Sequence, residues 1–214
     1  NIVIPKGTLS TTELSDIRNA ILGLEVMPSM RSLMTAGLAA SRDNTCMYNC
    51  SYLPVDDPKA FDEAMFILLC GTGVGFSVER QSISKLPDVP TLYNSDTTVA
   101  IKDSKEGWAK GLRKVLALLW AGEIPTWDLS KVRPAGARLK TFGGRASGPA
   151  PLVDLFNFAI TTFRAAQGRK LNSLECHDLM CKIGEVVVVG GVRRSAMISS
   201  VSYTHLTLPT NREV

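Results

Sequence analysis

The chain has 214 residues, 45% hydrophobic and 21% charged, the composition of a globular protein with length enough to bury a sizeable core. Its net charge of +4 is spread without a basic tract interleaved with aromatics, which argues against a nucleic-acid polymer as partner and suits small phosphorylated molecules. The sequence has no apolar run long enough to cross a bilayer and does not open like a secretory signal, so no membrane partner is expected; five cysteines, an odd number, then point to the reducing cytoplasm.

Ser10-Thr-Thr-Glu13 reads as a capping box ahead of Leu14, Ile17, Ile21 and Leu22, with Gly23 as a stop, giving an N-terminal helical segment over 1–26. Residues 27–37, MPSMRSLMTAG, read as a loop in which Ser29 and Arg31 are within the vocabulary of phosphate contacts. From Tyr48 the side chains alternate, so Cys50 lies between Tyr48 and Tyr52 on one pleat face, and Pro54 is expected to end the pairing. Asp56 or Asp57 caps the next helix, whose stripe is Phe61, Met65, Leu68 and Leu69. Gly71, Gly73 and Gly75 follow as a glycine-rich turn before Phe76 and Val78. The order helix, glycines, strand is the reverse of a dinucleotide-binding fingerprint, so that reading fails; a plain turn and a ligand-contacting turn both remain open.

Residues 79–100 hold prolines with Ser, Asn and Thr, the composition of a connection. Asp103 and Glu106 have capping-box spacing at the start of an amphipathic helix from Lys105 to about Ala121, with Trp108, Leu112, Val115, Leu116 and Leu119 inward. Asp128–Arg133 reads as a strand. Residues 135–149 then bring Arg138, Lys140 and Arg145 among glycines, a flexible cationic loop suited to phosphates and bases. A helix opens at Pro149 and Pro151 with Leu152, Leu155, Phe156, Ala159 and Phe163 inward. Another is capped by Ser173 and carries Cys176 and Cys181 as buried residues; Val186–Val189 either continues it or starts a buried segment. Residues 196–198 read as a strand. Cys46, Cys50, Cys176, His177 and Cys181 lack C-x-x-C spacing, so no metal site is expected.

Four ordered stretches resemble one enzyme family: YNCSYLPV with GTGVGFSVER (48–55 and 71–80), DSKEGW (103–108), VRPAGARLKTFGGRASGPAPL (132–152) and CHDLMCKIGEVVVVGGVRRSA (176–196). Together they are similar to the catalytic chain of ribonucleotide reductases, nearest to the adenosylcobalamin-dependent class, over about Met27 to Ser200. The resemblance implies an α/β fold, the N-terminal half of a ten-stranded α/β barrel over 27–200, and an oxidoreductase that converts ribonucleotides to 2′-deoxyribonucleotides for DNA synthesis. It further implies thiyl-radical chemistry, a redox-active cysteine pair, adenosylcobalamin, a ribonucleoside di- or triphosphate substrate, a deoxynucleoside triphosphate effector and a thioredoxin-type reductant. A homodimer is one open assembly.

The resemblance assigns Cys50 to the reducing pair, with Cys46 as competitor. It assigns Ser29, Asn49, Ser51, Gly71, Gly73 and Gly75 to substrate, and Asp103, Ser104, Arg138, Lys140 and Arg145 to effector. The remaining catalytic residues are absent from the sequence, which therefore reads as a fragment, inactive alone. Residues 201–214 resemble a translated transposase-type sequencing adaptor and are expected to be non-native. Two alternatives stand beside this reading: the large subunit of an iron-dependent reductase, and a non-catalytic nucleotide-sensing domain.

Overall fold

A computed structural model describes residues 7–138, 145–188 and 196–200. Lys140, Arg193, Arg194 and the adaptor-like tail therefore lie outside the described residues. The chain divides into two compact units, 1–49 and 50–214.

The first unit holds helices α1 (Thr11–Leu22), α2 (Met30–Thr35) and α3 (Leu38–Arg42), then a 3₁₀ turn at Asn44–Met47. The Ser10–Glu13 capping box is present, Glu13 N donating to Ser10 Oγ and Ser10 N to Glu13 Oε2. The apolar stripe of α1 has no buried member. Residues 30–35, expected as loop, are helical because Ser29 caps them, its Oγ accepting from Ser32 N at 3.1 Å. Tyr48 follows the 3₁₀ turn and is not in the strand, so the expected Tyr–Cys–Tyr face starts one member late.

The second unit is α/β with parallel pairing throughout its described sheets. Strands β1 (Cys50–Pro54), β2 (Gly73–Ser77) and β5 (Met197–Ser199) form a sheet ordered β1-β2-β5, and β3 (Tyr93–Ala100) pairs with β4 (Glu123–Asp128). Helix α4 (Lys59–Leu69) crosses from β1 to β2 and α6 (Lys105–Trp120) from β3 to β4, while α5 (Arg80–Ile83) is a single turn. Helices α7 (Ala150–Ala165) and α8 (Ser173–Val188) complete the layer; α4 packs on α6 and α8, and α7 on both α6 and α8. Phe61, Met65, Leu68, Leu112, Leu116, Leu119, Phe156, Phe163 and Met180 are fully enclosed there, where the 3.6-residue periodicity places them. Trp120 stacks edge-on to Phe163 at 4.8 Å.

Pro54 is the last residue of β1, as expected, paired with Ser77, and Val55 N donates to Ser77 O just beyond it. Several local expectations are corrected. Residues 93–100 are a strand, not a connection; its hydroxyls are satisfied by Thr126 and Glu123, and only Val99 is buried. The next strand is 123–128, ahead of the expected 128–133, and Asp128 instead accepts from Ser130 N in the turn that follows. Asp57 accepts from Lys59 N, but Pro58 is the N-cap of α4. Ser104, not Asp103, caps α6, accepting from Gly107 N at 2.9 Å. Asn172, not Ser173, caps α8, exchanging bonds with Glu175 in a reciprocal cap. The helix runs on to Val188, and Cys181 is exposed where burial was expected.

Candidate functional site

The register of β1 on β2 builds the site. Cys50 pairs with Gly73 and Tyr52 with Gly75, while Gly75 pairs with Ile198 of β5. Side chains alternate across a sheet, so Cys50, Tyr52, Gly73, Gly75 and Ile198 share one face. That face is open: Cys50 is exposed, and Tyr52 and Ile198 are 62% and 69% exposed. The other face carries Leu53, Val74 and Phe76 into the helix layer. The result is a shallow bare strip along β2, with Tyr52 and Ile198 rising on either side and a thiol at the start of β1.

This corrects the glycine-rich turn. Gly73 and Gly75 are strand residues, and the turn is only Gly71-Thr72. Gly71, at φ 82°, ends α4: its N–H donates to Leu68 O and that of Thr72 to Ile67 O, the paired bonds of a Schellman stop. The glycine count in GTGVG therefore has two sources, a helix stop and a smooth strand face. Ser51 lies on the opposite face from Cys50 and donates its hydroxyl to Gly73 O at 3.0 Å. Asn49 is exposed just before β1, and Ser29 caps α2 in the first unit.

The other four cysteines sit in different settings. Cys46 donates from the 3₁₀ turn to Asp43 O. Cys70 is the buried C-cap of α4 and faces Lys105 Nζ at 3.2 Å. Cys176 is fully buried in α8, and desolvation, reinforced by Glu175, pushes its thiol up to about 12. Cys181 lies beside His177, its thiol raised by desolvation and by the Asp178 carboxylate. Among the described residues, no three His, Cys, Asp or Glu side chains are grouped to hold a metal ion, and no helix is long and apolar enough to cross a membrane.

The second cluster gathers at the start of α6. Asp103 Oδ2 accepts from Arg133 Nε at 2.7 Å, tying the residue before the Ser104 cap to the root of the cationic loop. That loop leaves as an antiparallel hairpin: Gly136 N donates to Ala146 O, Ala146 N to Ala137 O, and Arg138 bridges to Arg145. Arg145 Nη1 also donates to Gly136 O at 3.1 Å. Two exposed arginines are thus backbone partners at this bridge, and like charges at paired positions favour an anion nearby.

Known proteins resemble this chain in sequence and in fold. The family model described as B12-dependent ribonucleotide reductase, insertion domain, matches residues 83–162, the stretch holding α6, β4 and both described loop arginines. An adenosylcobalamin-dependent ribonucleoside-triphosphate reductase of Lacticaseibacillus paracasei is 28% identical over 87% of this chain and 33% of its own length. One from Euglena gracilis is 29% identical over 86% of this chain and 26% of its own length. The crystal structure of a B-12 dependent (class II) ribonucleotide reductase superposes with a TM-score of 0.73 at 24% identity, covering 89% of this chain and 34% of that one. Over most of its length the chain is similar to adenosylcobalamin-dependent ribonucleotide reductases, in sequence and in fold. It spans about a third of the length of the bacterial relative.

Sequence reasoning missed Arg133, whose partner is thirty positions away, and the Asp62–Arg113 pair that joins α4 to α6. Lys105 was read only as part of the DSKEGW helix start, and its approach to Cys70 has no local signal. The available clue was composition: a cation beside two polar helix-start residues and an arginine immediately before a proline.

Proposed function

We propose that this chain is the part of an adenosylcobalamin-dependent ribonucleotide reductase that carries one reducing cysteine and the effector-sensing loop. The supporting observation is Cys50: an exposed thiol on an open parallel sheet face, against a strand whose facing positions are glycine. A flat backbone strip admits a ribose ring close to the sulfur, as side chains at Gly73 and Gly75 would not. Ser51 holds the strand pair together from behind, and Asn49 and Ser29 are polar groups assigned to the same substrate. The five parallel strands correspond, in this reading, to the first half of a ten-stranded barrel over 27–200, whose interior the open face would line.

The chemistry assigned to Cys50 is two-electron reduction. The C2′–OH bond breaks and the hydroxyl leaves as water; a C2′–H bond forms; two thiols lose their hydrogens and close a disulfide. Cys50 is one of those thiols, and its partner belongs to the part of the relatives outside the matched third. A thioredoxin-type dithiol restores the pair. Adenosylcobalamin supplies the radical that activates the substrate when bound. The described residues offer no grouped donor set for a metal centre, so no step is assigned to one held by them. The substrate is a ribonucleoside triphosphate, as in the relatives' names.

Asp103 and Ser104 at the start of α6, with Arg138, Lys140 and Arg145 of the loop, are assigned to a deoxynucleoside triphosphate effector. Cationic forks suit the phosphates, and the Asp103–Arg133 bond gives the bound nucleotide a direct grip on the loop's root. A cytoplasmic location follows from the chemistry. The test is turnover: the protein from a complete gene, given adenosylcobalamin and a dithiol, should convert ribonucleoside triphosphates to deoxynucleotides. Absence of product from every ribonucleotide, with folded protein and bound cofactor, overturns the assignment.

A further inference from the structure

We propose that Cys70 and Lys105 form an oxygen-made covalent cross-link, a thiol chemistry separate from that of Cys50. Lys105 Nζ lies 3.2 Å from Cys70 Sγ, and the same ammonium sits over the Phe66 ring at 5.0 Å from its centre. Both partners are held on rigid supports. Cys70 is the C-cap of α4, its N–H shared among the carbonyls of Phe66, Ile67 and Leu68, and Lys105 is the first residue of α6 behind the Ser104 cap. Cys70 is 3% exposed, whereas Lys105 is half-buried, so the lysine side gives a molecule as small as dioxygen a way to the pair.

A nitrogen cation beside a thiol is the setting in which cysteines become reactive, and oxidised sulfur condenses with neighbouring nitrogen. The neutral amine is the reacting form, reached when the pair's shared proton sits away from nitrogen. With dioxygen as oxidant the step balances as RSH + R′NH₂ + O₂ → RS–O–NHR′ + H₂O. The S–H bond and one N–H bond break, and S–O and O–N bonds form. Sulfur and nitrogen each give up two electrons, and the second oxygen leaves as water with the two freed hydrogens. An oxygen inserted between the atoms closes their gap with less movement than a direct S–N bond. Two dithiol molecules, each giving two electrons and two hydrogens, restore thiol and amine and release the bridging oxygen as water. The link joins residues thirty-five positions apart, from the turn before β2 to the start of α6, and so restricts the unfolded chain.

The test uses the full-length protein, purified without oxygen and then divided between anaerobic and aerated buffer. Digestion of the aerated sample should yield the Cys70 peptide joined to the Lys105 peptide, heavier than their sum by one oxygen and lighter by two hydrogens. The species should vanish with dithiothreitol and be missing from Cys70→Ser and Lys105→Arg, the latter keeping a cation over Phe66. Aeration should raise the thermal midpoint of the wild type by a few degrees and leave Lys105→Arg unchanged. Cys70 found only as free thiol, sulfinic or sulfonic acid, a link lacking the oxygen, or a link to another lysine overturns the proposal. Peptide masses do not depend on reductase turnover, so failure here is distinct from failure of the proposed activity.

Discussion

Cys50 and Gly73 are direct partners in neighbouring parallel strands, so the thiol has no side chain beside it on β2. That relationship separates Cys50 from Cys46, Cys70, Cys176 and Cys181, which are engaged with a carbonyl, an amine, an apolar core and an imidazole respectively. In the complete protein, Cys50→Ser should abolish dithiol-supported turnover while nucleotide binding survives. Cys46→Ser, Cys70→Ser and Cys181→Ser should each keep most activity. A dead Cys46→Ser with an active Cys50→Ser would move the redox position to residue 46.

The start of α6 offers a contrast between two glycines four residues apart. A Cβ at Gly107 would meet the Lys102 carbonyl oxygen at 2.3 Å, whereas one at Gly111 would meet the tip of the Ile101 side chain at 2.3 Å. Backbone cannot step aside, and a side-chain end can. Gly107→Ala is expected to cost about 3 kcal/mol and Gly111→Ala about 1 kcal/mol, partly offset by alanine's better helix propensity. Denaturant unfolding of the two variants checks the order; equal cost would contradict it.

What was legible in the sequence follows from which physical signal each element carries. Helices α6, α7 and α8 announce themselves through apolar stripes whose members, from Leu112 to Leu155 and Leu179, are enclosed. Strand β3 was hidden because YNSDTTVA buries a single side chain and satisfies its hydroxyls sideways, so it has the composition of a loop. Gly73 and Gly75 misled in the other direction, since glycine is common in turns and rare in strands unless something must approach closely. The strand position of Cys50 was legible because alternation and motif coincide there. Arg133 was not, because an ion pair across thirty residues leaves no periodic trace.

The proposed effector cluster predicts a graded set of losses. Among the described residues Arg145 bonds the Gly136 carbonyl, and it pairs with Arg138 in the backbone bridge, an exposed position open to an anion. Arg145→Ala should weaken deoxynucleoside triphosphate binding by about 10-fold, with a shallower dependence on salt. Asp103→Asn should weaken it as well and also loosen the loop root, seen as faster amide exchange at 135–138 without added nucleotide. Unchanged affinity in both variants would remove these residues from the effector site.

The last prediction concerns Asp62 of α4 and Arg113 of α6. Arg113 Nη2 lies 2.7 Å from Asp62 Oδ2, and the other oxygen, Oδ1, is buried with no hydrogen-bond donor among the described residues. The Asp62 side chain is 5% exposed and that of Arg113 is 47% exposed, so the two partners differ in what they lose when parted. Desolvation lifts the Asp62 carboxyl above its ordinary value, and the guanidinium draws it back only in part. A carboxyl raised in the folded state favours folding most below its unfolded value, and that contribution is lost as pH climbs through the folded value. Arg113→Met removes the opposing cation, lifts the folded value further and widens that window upward. Its cost should be small in acid, where Asp62 is protonated folded or unfolded, and grow to about 3 kcal/mol near neutrality. Asp62→Asn leaves Arg113 within reach of water and removes the group that titrates, so its cost near neutrality should be smaller and should decline, not grow, as pH rises. Denaturant unfolding from acid to neutral pH distinguishes the two. A pH-independent loss in Arg113→Met, or a larger loss in Asp62→Asn, would mean that the pair is not what holds α4 against α6.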